Sequence, residues 1–312
     1  IRDRLRSRGL GDVYKRQQED AILFSSGFGA NAGILRALLG QNDIALVDPY
    51  IHTSAMAGLK GTNVKRIGHN DLEYLEKTLK ETKDQYQTRL VIIDGVYSQD
   101  GDLSLLPEII SLCKTHEAML MLDDAHGIGV MGANGRGTAE HFNCLGQVDI
   151  ITGTFSKSFG CVGGFAAASK KIIQYLKFYA DSNVFSAAPT PQVTASILKA
   201  LEIIKKEPAI RARLWENTDY LRSRLTTEGF DIGKSVSPIF PIMIRDNKKV
   251  YEIAKMLQEK GIFTIGIVYP AVRTKEARLR VSVLATHEHE QLDALINALN
   301  DINKDIKIKK EQ

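Results

Sequence analysis

From Ala21 onward, short apolar runs alternate with longer amphipathic stretches, and this alternation limits the possible folds more than any other feature. The strand-like runs are IALV (44–47), RLVIID (89–94), AMLMLD (118–123), VDIIT (148–152) and GGFAAA (163–168). Between several of them, DLEYLEKTLKE (71–81) and LPEIISLCKTH (106–116) repeat apolar residues three or four apart, which lines one face of a helix. Strands that are apolar without alternation are covered on both faces, and helices between them act as crossovers. The expectation is therefore an α/β domain with a mainly parallel sheet.

After FSAAPTPQ the pattern shifts. A helical stretch runs from about 191 to about 228, broken near Pro208. Strand-like PIFPIMI (238–244), helix-like KKVYEIAKMLQEKG, strand-like IFTIGI and ARLRVSVL, and a final helix to about Lys304 follow. This order predicts a large domain over 18–190, then a connecting helix and a small C-terminal α+β domain over 191–312, with a frayed charged tail from Asn303.

With 312 residues, 44% hydrophobic and 25% charged, the chain can bury one large or two moderate cores. No apolar run approaches the roughly 20 residues of a membrane helix, and no secretory-type leader is recognisable, so a cytoplasmic location and no membrane span are expected. Cys113, Cys144 and Cys161 form no CxxC pair, which suits a reducing compartment, buried thiols and no metal site. The opening IRDRLRSRGLGDVYKRQ (1–17) has no amphipathic period and resembles translated adapter sequence, so it is set apart as non-native. Taking its six Lys+Arg from 41 leaves 35, and taking its two Asp+Glu from 37 leaves 35. The formal charge of +4 thus vanishes, and with it any electrostatic case for nucleic acid.

In parallel sheets, function gathers in loops beyond the carboxyl ends of the strands. Here those loops carry His52 in DPYIHTS, Ser98 in GVYSQDGD, Asp123 and His126 in DDAHG, and Thr154 and Lys157 in GTFSKS. SSGFGANAG (25–33) precedes a helix and offers backbone N–H groups suited to a phosphate. Taken singly, each feature has an ordinary explanation. A lone lysine is usually a solvated surface group, loop hydroxyls often satisfy backbone, and DDAH could be a metal pair or a helix start. GTFSKS is not a nucleotide-phosphate loop, because Ser156 stands where that motif requires glycine. GFGANAG misses GxGxxG by one position, and no following acid is placed for a ribose.

Together and in order, SSGFGAN, HTS, DGVYSQDGD, DDAHGIGV with GRG, GTFSKSFG and ARLRVSVLATHE resemble the α-oxoamine synthase family of fold-type-I pyridoxal phosphate (PLP) enzymes. The resemblance covers about Asp20 to about Ile302. It implies an aspartate aminotransferase-like fold, pyridoxal 5'-phosphate as cofactor, and a decarboxylating condensation of a small amino acid with an acyl-CoA. Lys157 is then the residue that forms an imine with the cofactor and moves the Cα proton, a task that calls for a lysine of lowered pKa among small neighbours. Asp123, the first acid of DDAH, is expected to pair with the pyridinium nitrogen, and His52 to stack on the ring. Ser98 and His126 are expected to bond the phenolic oxygen. Thr154 and the backbone of Gly27 and Phe28 would hold the phosphate, with Ser186 reaching the neighbouring subunit's phosphate across a homodimer interface. Arg280 is expected to clamp the amino-acid carboxylate with its bidentate fork. Of Arg278 and Arg280, one is expected to face the site and the other solvent.

The resemblance also implies that an N-terminal segment of the large domain is missing and that the chain as given is poorly active. Within the family the motifs lean towards serine palmitoyltransferase-like or 8-amino-7-oxononanoate synthase-like members, without fixing the amino acid or the acyl group. Another fold-type-I PLP enzyme, such as a class I/II aminotransferase, and a non-catalytic partner subunit remain open.

Overall fold

The computed structural model describes residues 18–309, so the adapter-like 1–17 segment lies outside the described residues. They divide into two compact units. One holds the chain up to Tyr97 together with Leu103–Glu207, the other Ser98–Asp102 and the chain from Pro208.

In the first unit the order is β1 (Asp20–Phe24), α1 (Gly27–Leu38), β2 (Ile44–Val47), α2 (Thr53–Gly58), β3 (Asn63–Arg66), α3 (Leu72–Glu81), β4 (Arg89–Asp94), α4 (Leu106–Thr115) and β5 (Met119–Asp123). It continues with α5 (Thr138–His141), β6 (Ile150–Thr154), β7 (Gly164–Ala168), α6 (Lys170–Tyr179), α7 (Asp181–Val184) and α8 (Pro191–Lys206). The strands form one sheet in the order β1-β7-β6-β5-β4-β2-β3. Neighbours from β6 through β3 are parallel, whereas β7 is antiparallel to both β6 and β1. A loop rather than a crossover helix joins Thr154 to Gly164, so the chain can only return antiparallel. Lys157 sits on that loop.

Alternate residues of the central strands bury against opposite layers. Ala45, Val47, Leu90 and Ile92 join Ala30, Ile34 and Leu35 of α1 and Ile173 and Leu176 of α6. Ile44, Leu46, Val91 and Ile93 join Leu75 and Leu79 of α3 and Ile109, Ile110 and Cys113 of α4. This double coverage is why the strands read as unbroken apolar runs. The sequence reading missed β3, whose NVKR is mostly exposed at the sheet edge and carries no apolar signal.

The helix α8, expected with the C-terminal domain, belongs with the first unit. Its Ile197 and Leu201 are buried in a cluster with Phe155, Phe159 and Phe165, so the sheet's own aromatic residues hold it.

The second unit contains α9 (Pro208–Thr227), β8 (Ile239–Met243), α10 (Asn247–Glu259), β9 (Ile265–Ile267), β10 (Arg278–Ser282) and α11 (His289–Asp305). Its sheet, β8-β10-β9, is antiparallel. Leu279 and Val281 of β10 and Phe240 and Ile242 of β8 pack with Leu221 and Leu225 of α9, Val250 and Ile253 of α10, and Leu295, Ile296 and Leu299 of α11. The tail is not frayed as far as Lys309. Asn303 Oδ1 accepts from Ile308 N at 2.8 Å and Lys309 N at 3.0 Å, and Ile308 is buried in the same core.

Phe240 is 0% exposed at the centre of this core, whereas Phe263 is 82% exposed. Phe240→Ala is expected to cost about 3–5 kcal/mol of stability in urea denaturation, and Phe263→Ala to stay within about 0.5 kcal/mol of wild type.

Candidate active site

Three strand ends build the centre of the site. In the sheet register Asp94 of β4 stands opposite Asp123 of β5, and Asp123 opposite Thr152 of β6, so acids and hydroxyls line the carboxyl edge side by side. Asp123 ends its strand 8% exposed. Its Oδ1 accepts from Ala125 N at 3.0 Å and its Oδ2 from Asn31 Nδ2 of α1 at 2.6 Å. Asn31 is itself buried and donates also to Ser54 Oγ of α2 at 2.9 Å, while its Oδ1 has no partner among the described residues. Ser54 Oγ lies 2.6 Å from His52 Nδ1, and His52 caps the N-terminus of α2.

The second acid of DDAH faces away into a closed cage. Asp124 is 1% exposed and accepts from Thr138 N at 2.8 Å and Thr138 Oγ1 at 2.6 Å. A Cβ on Gly127 would stand 2.0 Å from its carboxylate, and one on Gly137 1.8 Å, so glycine is required at both positions for the acid to fit. The GRG motif thus encloses Asp124, while Asp123 is left for the site.

The N-terminus of α1 rests directly on the end of β6. A Cβ on Gly27 would come within 2.8 Å of Thr154 Cβ, and one on Gly164 within 2.6 Å of Gly27 N. Ser26 Oγ caps Gly29 N at 2.9 Å, which leaves the earlier N–H groups of Gly27 and Phe28 without an intrahelical acceptor, as at any helix start. Thr154 Oγ1, beside them, lies 2.8 Å from Ser156 Oγ. The Gly27 and Phe28 N–H groups on this positive helix end are suited to an anion, while the Thr154 hydroxyl donates to Gly163 O at 3.1 Å.

Charge ties these elements together. Burial lowers the pKa of His52, the Asp123 carboxylate opposes this and Lys157 adds to it, although His52 is an exposed residue and solvent screens the effect. Burial pushes Asp94 well above the ordinary carboxylate range, Asp123 raises it further, and the His52 N–H and Lys157 work against the rise. No acid neighbours Lys157 in sequence, yet in space Asp94 feels its charge. Lys157 is exposed on its loop, where its carbonyl accepts from Gly160 N at 3.0 Å. His126 is half-buried in the turn after β5. Ser186 is exposed, with its Oγ 3.1 Å from Ser25 Oγ at the start of the β1–α1 loop. One strand further along the sheet, Asp48 accepts from Tyr50 N, the His69 ring and Tyr97 Oη, tying the exits of β2, β3 and β4.

Ser98 and Arg280 belong to the second unit and meet there. Arg280 Nε donates to Ser98 O at 2.5 Å and its Nη1 to Ser282 Oγ at 3.0 Å. The expectation that Arg278 or Arg280 faces solvent does not hold. Residues two apart in a strand share a face, and both side chains reach the 98–102 segment while Leu279 and Val281 face the core. Arg278 is 3% exposed and paired with Asp100.

The sequence reading gave no role to Asn31, Ser54 or Asp94. Asn31 and Ser54 stood inside the SSGFGAN and HTS motifs, but nothing in a motif indicates which strand end a side chain will meet.

The donor set suits PLP: an acid with lone pairs to spare, an imidazole beside it, an accessible amine, and a glycine cradle that any Cβ would fill. The chain also matches the aminotransferase class I and II family model over residues 5–299. It belongs to that family. Among curated proteins, a serine palmitoyltransferase of Sphingobacterium spiritivorum is 42% identical over 293 residues, covering 93% of this chain and 73% of that protein. An 8-amino-7-oxononanoate synthase of Thermoanaerobacter pseudethanolicus is 40% identical over 295 residues, covering 94% and 75%. Among solved structures, a serine palmitoyltransferase containing PLP superimposes with a TM-score of 0.90 at 30% identity, covering 96% of this chain and 76% of that one. The fold is thus the fold-type-I PLP-enzyme architecture.

Burial raises Asp124 to about 7 against the opposing Thr138 hydrogen bonds. A folded-state acid raised above its unfolded value of about 3.9 contributes stability that is full below that pH and lost as pH climbs through about 7. In Asp124→Asn this loss is expected to disappear, so the drop in unfolding free energy between about pH 5 and about pH 8 shrinks, as read by denaturant titration at the two pH values.

Proposed function

We propose that the chain is an α-oxoamine synthase: with PLP it condenses a small amino acid with an acyl-CoA, releasing CoA and CO2. The observation that carries this reading is the Asp123 carboxylate, fixed at the end of β5 by Asn31, with His52 and Asp94 close enough to feel both its charge and that of Lys157. Bound PLP supplies an electron sink for charge that develops at the amino-acid Cα.

The chain's own residues do the rest. Asp123 uses one lone pair on each oxygen for Ala125 N and Asn31 Nδ2, so further lone pairs remain to accept from the cofactor's ring N–H. Lys157 would hold the cofactor aldehyde through its amine and would move the Cα proton away and back. His52 would stack on the cofactor ring. His126 and Ser98 bond the phenolic oxygen. The Gly27 and Phe28 N–H groups and the Thr154 hydroxyl hold the phosphate, and in a homodimer Ser186 serves the neighbouring subunit's phosphate. Arg280, still cationic although burial lowers its pKa, takes the amino-acid carboxylate. Relatives of both names lie at about the same identity, so we assign the substrates as a small amino acid with an acyl-CoA rather than as one defined pair. A cytoplasmic location is part of this reading, in keeping with the lack of any helix long and apolar enough to cross a membrane among the described residues.

Borohydride treatment of the PLP-supplied protein is expected to fix cofactor mass on Lys157 in peptide mapping. CoA release is expected only when amino acid and acyl-CoA are both present, and to fall at least about a hundredfold in Lys157→Ala. Conversion of the cofactor to its amine form by amino acid alone, without CoA release, would instead favour an aminotransferase. Arg280→Lys is expected to raise KM for the amino acid about tenfold, the loss of one charge-assisted hydrogen bond.

A further inference from the structure

A continuous hydrogen-bond chain runs from Asp123 to His52 through Asn31 and Ser54. Asn31 Nδ2 stands 2.6 Å from Asp123 Oδ2 and 2.9 Å from Ser54 Oγ. A carboxylate can only accept, so the amide nitrogen must face it. One of the two Asn31 hydrogens goes to Asp123, and the other goes to Ser54 Oγ. Ser54 Oγ therefore accepts from Asn31 and has its single hydrogen left to donate to His52 Nδ1, 2.6 Å away. The Ser54 backbone N–H, which can only donate, also points at His52 Nδ1 at 3.3 Å. That N–H requires Nδ1 to hold a lone pair, which in turn makes the Ser54 hydroxyl the donor in its own contact with the ring. Ser54 is 0% exposed and Asn31 3%, so water does not compete for these bonds.

We propose that Asn31 and Ser54 are positioning residues that fix His52 as the neutral tautomer with its proton on Nε2, its Nδ1 closed off by bonds that lead back to Asp123. The polarity of the chain runs one way. The fixed negative charge on Asp123 orients Asn31, Asn31 orients the Ser54 hydroxyl, and that hydroxyl defines the acceptor nitrogen of His52. His52 then offers an N–H at Nε2, while its basic nitrogen, Nδ1, is taken up by the bonds from Ser54, so it does not compete with Lys157 for the substrate proton. This deepens the proposed reaction and, in that respect, rests on the reading of His52 as the residue over the ring. The charged groups that act on His52 are Asp123 of β5 and Lys157 of the β6–β7 loop, while Asp94 of β4 accepts its backbone N–H at 3.4 Å.

The test is nitrogen-detected NMR of the full chain labelled in histidine and supplied with PLP, a readout that needs no turnover. His52, assigned by its loss in His52→Gln, is expected to show the proton on Nε2 and an unprotonated Nδ1. In Ser54→Ala and in Asn31→Ala the Nδ1–H form is expected to appear and the midpoint of the His52 titration to rise. Ser54→Thr, which restores the hydroxyl, is expected to return both towards wild type. A proton on Nδ1 in the wild-type protein overturns the proposal, whatever the variants do. So does an unchanged tautomer in a Ser54→Ala protein whose circular dichroism matches wild type. Failure to release CoA would count against the proposed reaction but would leave the NMR result standing, so the two can fail separately.

Discussion

One carboxylate at the end of β5 organises the first unit. Asp123 is held by Asn31 from α1 and by the turn after its own strand, and the same Asn31 reaches Ser54 on α2. The carboxylate therefore sets the distance between two helices and a strand end as well as the charge of the site. A buried charge persists only where donors meet it, and here those donors come from α1 and from the turn after β5. Loss of this charge would unsettle α1 and α2, which Asn31 and Ser54 tie to it.

Around that acid, the glycines act through close approach. Gly27 and Gly164 let the start of α1 touch the Thr154 end of β6, at distances no Cβ would permit. Gly127 and Gly137 close over Asp124, which keeps the second acid apart from the first. The two adjacent acids of DDAH thus have separate tasks, because successive residues at a strand end point to opposite sides. Asp94, raised by burial and by Asp123, adds a second carboxyl group beside Asp123 at the same sheet edge.

The second unit holds its arginines differently. Arg278 is buried against Asp100, and Arg280 donates to the Ser98 carbonyl, so β10 grips the 98–102 segment with two cations on one face. That segment follows β4 in sequence yet packs with residues from Pro208 onward. Strand periodicity could have placed both arginines on one face. It could not have named Asp100, which lies far from them in the chain.

Much of the fold could be read from the sequence. The unbroken apolar runs and the three-or-four spacing between them gave a mainly parallel sheet with helices on both sides, because burial on two faces leaves that imprint on composition. The ordered motifs fall at strand ends and in the loops after them, the edge where open α/β sheets place their sites. Where hydrophobicity gave no signal, as in the polar edge strand β3, and where packing came from distant aromatics, as for α8, the sequence was silent or misleading. The links from Asn31 to Asp123 and from Ser54 to His52, the cage around Asp124 and the pairing of Arg278 were decided only by tertiary structure. Each is a hydrogen bond or close contact between groups whose local sequence is indifferent to the partner, and only the folded chain brings such groups within reach.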